Sequence, residues 1–110
     1  MNTHERLLLP AYWARPSPSS ARGLLAELQR EVIAGHLLFG VPVRAVAIST
    51  GNDDVLFQHV NDPVRFTVVH LTFRGGPEID AHHPTVGFDG SYAEFLAEQK
   101  RIDDWLAGQD

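Results

Sequence analysis

Apolar residues recur at helical spacing near each end of the chain and alternate between them. Leu24, Leu25, Leu28 and Val32, with Ile33 beside them, fall on one side of a 3.6-residue period. Ser19 or Ser20 offers an N-cap after Pro18, and Gly35 a left-handed stop, so the pattern predicts a helix over 20–34 with Glu27, Arg30 and Glu31 facing away. Val43 to Thr50 alternates and is rich in β-branched residues, which predicts a strand. Gly51-Asn52-Asp53 turns the chain into a second strand over 54–60, and Asn61-Asp62-Pro63 turns it into a third over 64–73. Arg74-Gly75-Gly76-Pro77 stops that strand, and Glu78 to Gly90 reads as a loop. Ser91 followed by Glu94 is a capping box, and Tyr92, Phe95, Leu96, Ile102 and Leu106 form the stripe of a helix over 91–107.

Short turns join successive strands antiparallel. The expected fold is therefore α+β in the order α-β-β-β-α: a two-layer sandwich of a three-stranded antiparallel meander with two flanking helices on one face. Its expected core is Leu25, Leu28, Val32, Val46, Ile48, Phe57, Val68, Leu71, Phe95, Leu96 and Ile102. One strand resists this scheme. In the third, Phe66 and Val68 point one way, and Val69, Leu71 and Phe73 the other. A bulge must flip its alternation, or its second face must also be covered. As an edge it would also need cover from the Leu7–Trp13 segment, from Val86-Gly87-Phe88 or from a partner chain.

Residues 1–19 carry Pro10, Pro16 and Pro18 among serines and read as an N-terminal arm to a single domain over 20–110. Tyr12 and Trp13 are costly to leave in water, so they are expected to dock on the domain or on a second copy. A C₂ homodimer would bury Tyr12, Trp13 and Phe73 with one self-complementary patch.

The net charge of −5 is uneven: residues 1–75 carry +1 and residues 76–110 carry −6. An acidic last third repels phosphate backbones, which argues against nucleic acid and is compatible with a basic protein partner near Asp103 and Asp104. There is no cysteine, which excludes thiolate catalysis, disulfides and zinc–thiolate sites. No apolar run approaches membrane-spanning length, and Leu7-Leu8-Leu9, with Glu5 before it and Pro10 after it, is no signal sequence. A cytoplasmic protein that uses no membrane is expected.

Histidines are the candidates for chemistry. His36 ends the first helix region, while His59 and His70 lie on neighbouring strands and are the candidates, with His36, for a ligand pocket. His82 and His83 follow Glu78 and Asp80 in a loop, but adjacent histidines do not both reach one ion and no ligand spacing is present. No metal, cofactor or catalytic residue is expected, since the sequence has no nucleophile elbow, phosphate loop or dinucleotide fingerprint.

Gly35-His36, Leu38-Phe39-Gly40, Asp53-Asp54-Val55-Leu56-Phe57 and Val68-Val69-His70-Leu71-Thr72-Phe73 together resemble the DDVLF…VVHLT(F/W)…P pattern of a group of small bacterial single-domain proteins. The resemblance spans residues 24–97 and implies a cytoplasmic bacterial protein with no catalytic residues to carry over. A non-catalytic protein-interaction module, immunity-protein-like in one form, is the expected function. The alternative is a small-molecule-binding protein or enzyme with a pocket built on His36, His59 and His70.

Overall fold

Both faces of the third predicted strand are covered, and this changes the architecture. The computed structural model describes residues 7–108. Its elements are β1 (Trp13–Ala14), α1 (Pro18–Glu31), β2 (Val43–Ser49), β3 (Val55–His59), β4 (Arg65–His70), β5 (Thr85–Ser91) and α2 (Tyr92–Ala107). The strands form one five-stranded antiparallel sheet in the order β1-β2-β3-β4-β5. The fold remains α+β, but the three-stranded meander is corrected to five strands, and the order α-β-β-β-α to β-α-β-β-β-β-α.

The two added strands lie at the edges. Trp13 and Ala14 pair with Ser49 and Ile48 of β2. Thr85–Ser91, expected as loop up to Gly90, pairs along the whole of β4 and removes its exposed edge. Two extra residues bend the sheet: Val46 on β2 and Gly87 on β5 have no opposite number on the neighbouring strand. The Val46 bulge reverses the parity of β2, so Ala45 joins one core and Ala47 the other.

The helices lie over opposite faces, not on one. Leu24 and Leu28 of α1 pack with Val43, Ala45, Val55, Phe57, Val69 and Leu71. On the other face Phe95 of α2 packs with Ala47, Leu56, Phe66 and Val68, joined by Leu7, Leu9, Trp13 and Phe88. Strand β4 thus alternates regularly and feeds a core on each side. Phe95 is the hub of the second core, with ring centroids 5.2 Å from Trp13, 5.9 Å from Phe88 and 5.6 Å from Tyr92.

Local signals set the helix ends. Ser17 rather than Ser19 or Ser20 caps α1, accepting from the Ser20 amide, which leaves Pro18 in the first turn where its missing N–H costs nothing. The helix stops at Glu31, because Val32 is already extended and Gly35 serves the following turn. Ser91 and Glu94 form the full reciprocal capping box of α2. That box needs Gly90: a Cβ there would stand 2.8 Å from Glu94 Oε1 and 3.0 Å from the Phe88 ring.

Candidate functional site

The three candidate histidines occupy three separate places. His36 is buried, and its Nδ1 accepts from the Leu38 amide at 3.0 Å, so its Nε2–H donates to the Pro84 carbonyl at 2.8 Å. That fixes a neutral tautomer and ties the 36–40 turn to the entry of β5. His59 is buried over the α1 face, with Nε2 2.8 Å from the Thr67 hydroxyl, which donates in turn to Asp89 Oδ1 at 2.7 Å. Arg65 closes the array with a bidentate pair to Asp89 at 3.0 and 2.7 Å. The Arg65 guanidinium, helped by Thr67, holds the Asp89 carboxyl below its usual range, and burial with the Arg65 charge lowers His59. A neutral His59 donating into this chain braces β3, β4 and β5.

His70 lies at the opposite end of the β3–β4 pair, where Val55 faces Val69. It alternates with Val69 and Leu71, which face α1, and so points to the other side of the sheet. Its Nδ1 is 2.6 Å from Asp54 Oδ1, and the ring is more than half exposed. None of these three histidines shares a carboxylate with another. Among the described residues, no group of three or more His, Asp or Glu is placed to hold a metal ion.

The interface candidates also divide. Trp13 is half-buried on its own chain, edge-on to Phe95, with Nε1–H donating to Gln99 Oε1 at 2.9 Å. Tyr12 is exposed, and its carbonyl receives the Thr50 amide and hydroxyl. Phe73 is 52% exposed and adopts a φ of 56°. Asp104 pairs with Lys100 at 2.7 Å on the surface, and Asp103 beside it is half-buried.

Helix α2 itself corrects the expected core. Tyr92, Phe95 and Gln99 dock its first half on the sheet and on Trp13. The same stripe then continues through Ile102 and Leu106, which are 38% and 54% exposed, with Leu96 at its flank 37% exposed. Leu96 and Ile102 are therefore not core residues.

Glu27 and Glu31, expected to face away, are buried. Glu31 accepts from the Thr72 and Phe73 amides at 3.0 and 2.8 Å. Glu27 accepts from the Gly75 amide at 3.0 Å and from two Arg30 nitrogens at 3.2 and 2.7 Å. The two carboxyls lie together, and each shifts the other's proton affinity. Glu31, with Arg30 and the Gly75 amide, holds Glu27 down at about 2, while burial and the neighbouring Glu27 raise Glu31. Together they fix the 72–75 turn against α1. The signal was present in the sequence, since Glu27 and Glu31 continue the Leu24–Leu28 stripe at helical spacing. Among the described residues, no buried side-chain nitrogen or oxygen lacks a partner.

No family model matches this chain, and neither a curated protein nor a solved structure matches it.

Proposed function

We propose that this chain is a non-catalytic protein-interaction module, and that the second half of α2 receives a basic, partly apolar surface of another protein. The observation that carries the reading is the partly exposed continuation of the α2 stripe. Its first two turns bury Phe95 against the sheet, while Ile102 and Leu106, flanked by Leu96, offer the same kind of surface to a partner. Asp103 and Asp104 border this surface within a segment of net charge −6, so charge complementarity favours a basic occupant. A cytoplasmic bacterial protein that neutralises a basic toxin, as immunity proteins do, is one form of such a module.

A second copy is the competing occupant. Of the features that called for a homodimer, Phe66, Val68, Val69, Leu71 and Trp13 have cover within one chain, while Tyr12 and Phe73 stay exposed, and the like charge of two acidic α2 surfaces disfavours pairing those surfaces. The pocket reading built on His36, His59 and His70 draws no support from their placement. The proposal of bacterial origin rests on the sequence resemblance.

The test compares tagged wild-type protein with an Ile102→Lys/Leu106→Lys variant, isolated from the cells that natively express it. A basic protein that co-purifies with the wild type, re-forms the complex from pure components and is lost with the variant supports the reading. Full retention by the variant refutes it. A wild-type dimer in sedimentation that the variant dissociates would replace the heterologous partner with a second copy.

A further inference from the structure

Between α1, Ile48 of β2 and the turns at 53 and 73 lies a hollow of about 520 Å³, within the range of small-molecule sites. None of His36, His59 and His70 lines it. Three features of its wall are unfavourable to the fold that carries them. Among the described residues, three non-glycine residues have positive φ, and two of them, Asp53 (63°) and Phe73 (56°), stand on this wall. Such strain persists where surrounding structure enforces it, and it concentrates at functional sites. For Phe73 the enforcing structure is the buried Glu31, which accepts the Phe73 amide itself. The third feature is Gly23, in the interior of α1, where glycine weakens a helix. Its φ is not positive, and no other atom comes within 4 Å of where a Cβ would stand, so neither conformation nor packing requires a glycine. The missing side chain leaves the hollow open.

We propose that this hollow binds a small organic cation with an apolar body. Leu24, Ile48 and the exposed Phe73 ring supply apolar wall. The charged lining is Glu27, Arg30 and Asp53, a net charge of −1. Glu27 is matched by Arg30, whereas the Asp53 carboxylate has no hydrogen-bond or ion-pair partner among the described residues. An ammonium group placed between Asp53 and the face of Phe73 gains an ion pair and a cation–π contact, while an alkyl or aryl body lies along α1 over Gly23. The site is separate from the α2 surface, which belongs to the other face of the sheet.

Phenethylamine is the probe, with 2-phenylethanol and 3-phenylpropionate as its neutral and anionic counterparts. Titration of ¹⁵N-labelled protein should give saturable amide shifts centred on Gly23, Asp53 and Phe73, with the alcohol and the acid each about threefold weaker or more, as loss of one solvent-exposed ion pair and a cation–π contact implies. Asp53→Asn should weaken the amine about twofold to fivefold without moving the alcohol. Gly23→Leu should fill the hollow and abolish saturable binding of amine and alcohol alike, with a melting temperature no lower than wild type. The proposal is overturned by equal affinity for amine and alcohol, by an Asp53→Asn variant that binds the amine as wild type does, by binding that survives Gly23→Leu, or by the absence of saturable shifts.

Discussion

Replacing Glu31 by Gln tests whether a buried, protonated carboxyl holds the 72–75 turn to the first helix. In the wild type the Glu31 carboxyl is fully buried, accepts the Thr72 and Phe73 amides, and is raised by burial and by the neighbouring Glu27. Gln is a neutral isostere of the protonated acid. Its NH₂ replaces the protonated oxygen, and its single oxygen serves one amide, so the other amide loses its acceptor. That loss costs about 1–2 kcal/mol, whereas Glu31→Leu, which orphans both amides, costs about 2–4 kcal/mol. The pH dependence is sharper than the magnitude. The folded Glu31 keeps its proton above the unfolded value of 4.5, so from there to its raised folded value the native state binds more protons than the unfolded chain. Wild-type stability therefore falls as pH rises through that window, by at most about 1.4 kcal/mol per pH unit from this group. Gln has no proton to lose. Glu27, held near 2, is ionised in both proteins above pH 5 and largely cancels in the comparison. The gap between wild type and Glu31→Gln should thus be widest near pH 5 and narrow towards pH 8. Urea melts at several pH values measure it, with histidine titrations common to both proteins. A gap that stays constant or widens as pH rises would show that Glu31 is not protonated in the fold.

Phe95→Ala removes the ring that touches Trp13, Phe88 and Tyr92 and should cost about 3–5 kcal/mol in a chemical melt; a loss under 1 kcal/mol would contradict its place at the centre of the second core. His59 is neutral in the fold because burial lowers it below 6.5, so its contribution is present above that pH and is lost as pH falls below it. His59→Gln, which still offers Thr67 a donor, should flatten the stability decline of the wild type between pH 6.5 and 5, and an unchanged slope counts against the buried neutral ring. Trp13→Ala should cost about 2 kcal/mol and expose the Leu7–Ala14 segment to limited proteolysis before the domain unfolds, whereas cleavage no faster than wild type would mean that Trp13 does not anchor it.

Both helices and the three central strands were legible because each repeats one period for long enough to be read. Leu24 and Leu28 mark α1, Ser91 and Glu94 mark α2, and β-branched alternation marks β2 to β4. The two edge strands were not. Thr85–Ser91 contains Gly87 and Gly90, residues that weaken a strand in isolation, and both are explained only by tertiary structure: one is the bulge, the other gives room to the Glu94 cap. Trp13–Ala14 is too short to show a period. The conflict in β4 was legible as a conflict, and its answer was a helix on each face.

Candidate chemistry was harder to read, since residue type and placement diverge. His36 and His59 and the buried Glu27–Glu31 pair carry the groups most often used in catalysis, yet their ring nitrogens and carboxyl oxygens bond backbone amides, a carbonyl, a threonine and an arginine. A group so engaged must break a structural bond before it can act on a ligand, and buried partners make that break costly. The residues that the two proposals assign to outside molecules are ordinary by type: Gly23 in a helix, Asp53 and Phe73 at turns, Ile102 and Leu106 at a helix end. What distinguishes them is a positive φ, an absent side chain, or apolar surface that the fold leaves wet. Those properties exist only once the sheet and both helices are in place, which is why a sequence can announce its histidines and still conceal the surfaces proposed here for binding.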